Sequence, residues 1–390
     1  MLVNKEIKTA IFLFVITCFI YFLSSPGETP YDYFTRLSEG FIHFKLYTSE
    51  SPSWLNELIP VDGKYFVALP PMPAIIMTPF VYIFGEFFSE TVFSITLGSI
   101  NVVLVYLLIK KLNFSQHLAV FMAVFFAFGT NHYFLSSVGS SWYLAHIVAL
   151  FFLLSALIET CTKKRLILVG LLLGASFWAR TSVLFTIPFF HLYLYEKFWP
   201  ISKEKIVDFI KLSFGVAFFI LIDAFYNFLR FGNFSPLAPY NLIQNVDTNT
   251  VVNGVYMSIS YIPRHIDALF FRVPKLSEQA PYFIPSLYAT AIWFTSPLLI
   301  YIFKAKKSLL MISCTLAIIS ALLVVIQWAG VGFSQFGYRF AQDFMPFLLI
   351  LVAIGLGKKP SKIAYILLIL SIIINFWGTI TINKFHLYTM

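Results

Sequence analysis

The sequence predicts an all-α fold, a polytopic transmembrane helical bundle of about eleven spans. Three observations lead there. Fifty-nine per cent of the residues are hydrophobic and only 12% are charged, and the mean hydropathy is +0.82, well above the level of a soluble domain. Apolar runs close to the ~20 residues needed to cross a bilayer recur along the whole length. The basic residues sit in short clusters between those runs, as the positive-inside bias requires of cytoplasmic loops. That clustering accounts for the net charge of +9, so a nucleic-acid partner is not expected. No polar stretch is long enough to build a core of its own, so residues 1–390 read as a single membrane domain.

The first run, 9–25, follows Lys5 and Lys8. It has the outline of a signal peptide, but "FLSSPGE" offers no small-x-small cleavage site, and an uncleaved span is expected. Further spans are expected at 91–109, 116–135, 141–160, 166–179, 182–196, 206–229, 286–303, 308–328, 342–356 and 363–381. A tight turn at Arg180 joins the two short ones. The segment "LPPMPAIIMTPFVYIFG", 69–85, is apolar but carries Pro70, Pro71, Pro73 and Pro79, which break a spanning helix.

Charge decides its placement. If it does not span, six sites face the cytoplasm: Lys5 and Lys8; Lys110 and Lys111; Lys163, Lys164 and Arg165; Lys197, Lys203 and Lys205; Lys304, Lys306 and Lys307; Lys358, Lys359 and Lys362. Together they hold 16 of the 27 basic residues. If it spans, all but the first pair move outside, against the bias. The expectation is a short helix on the outer surface or dipping into it, with the N-terminus inside and the C-terminus outside. Two long outer loops result, at about 26–90 and about 230–285, so function is expected to face outward. Cys18, Cys161 and Cys314 fall in or beside spans and show neither a disulfide pattern nor metal-ligand spacing.

The polar residues near the outer boundary carry the chemistry. Asp32 opens "DYFTRLSEGFIHF", in which Phe34, Leu37, Phe41 and Phe44 recur at helical spacing. It therefore starts an amphipathic surface helix, either as an acid in the cap region or as a general base at the water–lipid boundary. Asp223 lies inside a span, where a carboxylate costs at least ~2.5 kcal/mol and is functional or paired. Arg230, seven residues on, is close to two turns away and can share its face. Arg339 and Asp343 are four apart at the outer mouth of the tenth span, a spacing that predicts an ion pair. Arg180 is a second boundary arginine, suited like Arg339 to a lipid phosphate through its planar fork of donors. His146 reads as a buried hydrogen-bonding residue or as a catalyst. Lys64 is either solvated or within reach of a phosphate. Acids that deprotonate a hydroxyl, arginines that stabilise a leaving phosphate and a groove for a lipid tail together point to group transfer from a lipid phosphate. Asp32 with other outer acids leaves room for a divalent cation, but no spacing demands one.

Several stretches, in order, resemble the GT-C superfamily of integral-membrane glycosyltransferases. They are Asp32 soon after the first span, "LPPMPAIIMTPFVYIFGE", "VVLVYLLIKKL", "FYNFLRFGNF" and "FGYRFAQDFMPFLLIL". The nearest in pattern are the protein O-mannosyltransferases, the lipid A aminoarabinose transferase and the lipopolysaccharide-core transferases. The resemblance implies transfer of a sugar from a polyprenyl-phosphate carrier on the outer face to a hydroxyl of a glycan, lipid or protein acceptor, usually with inversion. It makes Asp32 the base and Arg339 and Arg180 the phosphate ligands. Tyr33 stands where the protein O-mannosyltransferases carry Glu, and Leu69 where the aminoarabinose transferase carries Lys, so sugar and acceptor stay open. The competing reading is a flippase for lipid-linked sugars or another transporter, which needs polar groups along a path near mid-depth. A third is an assembly subunit, in which the outer acids are incidental.

Overall fold

The computed structural model describes residues 2–195, 202–244, 250–278 and 282–389. Lys197, counted above with an inner cluster, lies outside the described residues. The chain is mostly helical. Among the described residues four helices are long and apolar enough to cross a membrane: Lys5–Ser24, Glu90–Lys111, Ser141–Cys161 and Lys362–Asn383. A fifth is added if the bent pair Gln116–Phe128 and His132–Val138 counts as one.

The first helix, α1 (Leu2–Ser24), packs on α4 (Glu90–Lys111) and leaves much of its apolar surface outward. Between them come three smaller pieces. α2 (Tyr33–Ile42) starts at Asp32 and buries Phe34 and Leu37, as the periodicity predicts. It stops before Phe44, which is 98% exposed with a positive φ. A hairpin follows, β1 (Leu58–Val61) and β2 (Lys64–Val67). Its two-residue turn, Asp62–Gly63, has positive φ at both positions, the pattern of a type I′ turn. Then α3 (Met72–Phe84), the proline-rich segment, folds as one helix with Pro73 near its start and Pro79 inside. It lies on α2, where the Ser38 hydroxyl donates to the Ala74 carbonyl at 2.8 Å.

α5 (Gln116–Phe128) and α6 (His132–Val138) meet at 56°, so the expected span 116–135 is bent. The break is satisfied locally: Thr130 Oγ1 donates to the Phe126 carbonyl and Asn131 Nδ2 to the Tyr338 carbonyl, at 2.8 and 2.9 Å. α7 (Ser141–Cys161) is the most buried of the long helices and contacts both α4 and α8 (Leu166–Phe177). A 3-10 turn, Thr181–Thr186, leads into α9 (Ile187–Tyr195). α10 (Lys203–Phe231) has 29 residues and crosses α8 closely.

The stretch after α10 holds short pieces: α11 (Ala238–Asn241), α12 (Ile262–Ile266) and the two-residue strands β3 (Lys275–Leu276) and β4 (Phe283–Ile284). The segment expected as a span at 286–303 is not one helix. It is α13 (Ile292–Thr295) followed by a 3-10 stretch, Pro297–Lys304, because Pro297 cannot continue the α-helical ladder. α14 (Leu309–Val325), α15 (Met345–Leu356) and α16 (Lys362–Asn383) complete the bundle. The lysine clusters share one end of it. Lys110 pairs with Glu6 at 3.2 Å, and Tyr301, just before Lys304, hydrogen-bonds Ser361 at 2.7 Å, just before Lys362.

Candidate functional site

At the other end of the bundle lies a cavity of about 1040 Å3. Its wall comes from elements far apart in sequence: Glu57 before β1, Leu69 and Pro70 before α3, Trp142 on the first turn of α7, Arg180 and Ser182 after α8, Trp328 after α14, and Arg339 and Phe340 before α15. Tyr240, Arg264 and Arg272, from the stretch between α10 and α13, also line it. α7, α8, α10, α14 and α15 each carry a basic cluster toward one end and run to the cavity or that stretch at the other.

Asp343 anchors the wall without facing the cavity. Its side chain is 1% exposed and accepts four hydrogen bonds. These come from Arg180 Nε (3.3 Å) and Nη2 (2.9 Å), the Ser182 hydroxyl (2.5 Å) and His146 Nδ1 (2.9 Å). The expected Arg339–Asp343 pair does not form. Residues Arg339–Asp343 are a 3-10 turn, in which positions four apart point about 120° from each other. Asp343 turns instead to Arg180 and fixes that guanidinium at the cavity edge.

Arg339 is held differently. Its guanidinium lies 5.3 Å from the Phe340 ring centroid and 5.6 Å from that of Tyr143. Arg180 lies against the same Phe340 ring at 5.2 Å. Arg339 Nη1 donates a long bond to the Phe333 carbonyl at 3.3 Å, its guanidinium also interacts with the Tyr143 hydroxyl, and its Nε is buried with no partner among the described residues. No carboxylate among them forms a salt bridge with it. The other two cavity arginines are occupied. Arg264 donates to the Thr250 and Ala329 carbonyls, and Arg272 pairs with Asp267 at 2.5 Å. A guanidinium with no salt bridge among the described residues keeps donors that an anionic group could accept from.

Glu57 is the acid that the sequence reading passed over. Trp142 Nε1 donates to its Oε2 at 2.8 Å, and its backbone N–H donates to the Tyr33 hydroxyl at 3.2 Å. Burial pushes its carboxyl above the ordinary value, while the Trp142 N–H and the Arg339 charge hold it back. Tyr33 is 1% exposed with its ring edge-on to Trp142, and burial raises its hydroxyl as well. The available signal for Glu57 was its position just before a strand pair whose "DG" turn is legible.

The remaining candidates fall outside the cavity wall. Asp32 is 29% exposed and pairs with Arg36 at 2.9 Å; Arg36 also binds Glu50 at 2.7 Å. Asp32 holds the N-cap position of α2 but makes no capping bond. Lys64 is exposed on β2, with its ammonium 5.1 Å from the Tyr47 ring centroid. Asp223 and Arg230 do share a face, linked through Asn227. Asp223 accepts from Trp178 Nε1 (3.1 Å) and Asn227 (3.2 Å), and Arg230 donates to Asn227 Oδ1 (2.7 Å) and the Val67 carbonyl (2.8 Å). That chain ties α10 to α8 and to the approach of α3. Among the described residues no three His, Cys, Asp or Glu side chains cluster closely enough to share a metal ion. No protein-family model matches the chain, and no curated protein matches it.

Proposed function

We propose that the chain is a glycosyltransferase that moves a sugar from a polyprenyl-phosphate carrier to an acceptor hydroxyl at the outer face of the membrane. In this reading it is a GT-C-like bundle crossing about eleven times. The shorter helices and the broken segment 292–304 serve as crossings, and the N-terminus is cytoplasmic. The separation of cavity and lysine clusters to opposite ends supports an outward-facing site.

The observation that carries the reading is the cavity wall itself. It sets Arg339, which has no salt bridge among the described residues, and the anchored Arg180 along one side of Phe340, with a carboxylate, Glu57, also lining the cavity. A phosphate fits between such donors, and charge that develops on it as the sugar departs is stabilised there. Leu69, Pro70, Val325 and Trp328 add apolar surface for the first units of a lipid tail. The volume suffices for a sugar phosphate with part of its carrier. Inversion follows from a single in-line displacement, with a base on one side and phosphate leaving on the other. Against a transporter, the acid at depth, Asp223, is taken up by Trp178 and Asn227.

The test is transfer by protein purified in mild detergent, from a panel of radiolabelled polyprenyl-phosphate sugars, with membrane extract as acceptor source. Wild type is expected to move label from one carrier, and Arg339→Ala to lose on the order of 100-fold or more, as when one transition-state donor is removed. If wild type moves no label from any carrier, the transfer reading is wrong and the transporter reading replaces it.

A further inference from the structure

Resting on the transfer reading, we infer that Glu57, rather than Asp32, is the catalytic base that takes the proton from the acceptor hydroxyl. Glu57 is the only Asp, Glu or His among the described residues that line the cavity. Every other acid near it is already engaged. Asp343 is saturated by four donors, and Asp32 is paired with Arg36 outside the wall. Glu57 is held through one oxygen only. Its Oε2 receives the Trp142 N–H, while Oε1 has no hydrogen-bond partner among the described residues and is free to accept a proton.

The support behind it is rigid. Trp142 is flanked by the rings of Tyr31 and Tyr33 at 5.0 and 5.6 Å, and Tyr33 also receives the Glu57 backbone N–H. Asp32, between those two tyrosines in sequence, pairs with Arg36 one turn along α2 and does not line the cavity.

In the reaction, the acceptor oxygen attacks the anomeric carbon of the sugar as Glu57 takes the hydroxyl proton. The new carbon–oxygen bond forms and the bond from carbon to the phosphate oxygen breaks. The electron pair leaves on phosphate, giving polyprenyl phosphate beside Arg339 and Arg180. Glu57 then releases its proton to water. No oxidant or co-reactant is needed.

The experiment compares wild type, Glu57→Gln, Glu57→Asp, Glu57→Ala and Asp32→Asn, each with a thermal-unfolding control and a carrier-binding measurement. Glu57→Gln keeps an oxygen for Trp142, so it is expected to bind carrier like wild type while kcat falls on the order of 10²–10⁴-fold. Glu57→Asp retains a base set back by one methylene and loses less. Formate is expected to restore part of the rate in Glu57→Ala, which a merely structural glutamate would not allow. Asp32→Asn is expected to stay within tenfold of wild type. The active form is the carboxylate, so wild-type activity falls as pH drops through a limb above the ordinary carboxylate range; no such limb remains in Glu57→Gln. Active wild type with Glu57→Gln equally active overturns this inference alone, as does the reverse order of the two acid variants. Wild type silent with every carrier overturns instead the transfer reading on which it rests.

Discussion

Asp343 illustrates how one buried carboxylate can fix several elements at once. It draws His146 of α7, Arg180 and Ser182 after α8, and the turn before α15 to one point. Removing its charge leaves the Arg180 guanidinium, only 21% exposed, without a counter-ion. Asp343→Asn is therefore expected to cost about 3–5 kcal/mol, as when one partner of a buried pair is lost. Denaturation in detergent measures this, and a variant as stable as wild type would show that the pair is not an anchor. At this scale the sequence exposed the right residue types but not their partners. Arg180, Arg339, His146 and Asp343 were all visible as polar groups in apolar surroundings. Their pairing was not, because the four-residue spacing was read on an α-helix where the chain forms a 3-10 turn. Glu57 was hidden for another reason: the hairpin after it marks only its place in the chain, and its partner, Trp142, lies 85 residues away.

Among the elements, the contact between α8 and α10 depends on two glycines. A Cβ on Gly170 would run into the Leu212 carbonyl and lie 3.1 Å from the Gly215 Cα, and one on Gly215 would meet the backbone of Gly170 and Leu171. Such close backbone approach is how helices pack without a solvent-driven hydrophobic force. Gly170→Ala and Gly215→Ala are each expected to cost on the order of 1–3 kcal/mol by overpacking. The double variant should cost less than the sum, since the first separates the helices for the second. Thermal unfolding of the three variants checks this, and strict additivity would mean the two sites do not share a contact. Helices stand at the apolar runs because hydropathy and length report on local structure. The run 116–135 is bent, and 286–303 failed at Pro297, whose effect on the ladder was legible but was outweighed by the apolar composition. The hairpin around Asp62–Gly63 was legible too, in two short runs rich in β-branched and aromatic residues, "LIPV" and "KYFV", about a "DG" turn.

For the whole molecule, the proposed orientation puts the cavity outside and the lysines inside. A cysteine at Ser51, exposed after α2, should react in intact cells with a membrane-impermeant maleimide. One at Lys307, exposed before α14, should react only after the membrane is opened. The native cysteines are buried or half-buried, which keeps background low. The opposite labelling pattern would invert the topology. The long-range arrangement that brings the cavity together was beyond the reach of the sequence, because it is built from helix ends whose only common property is their depth. The Arg180–Asp343 contact carries a consequence in time. Its partners are 163 residues apart, so at ~5–20 residues per second a ribosome needs roughly 8–33 s to travel from one to the other. For that interval Arg180 has no Asp343 to pair with, and the chamber still lacks the side that Trp328, Arg339 and Phe340 supply.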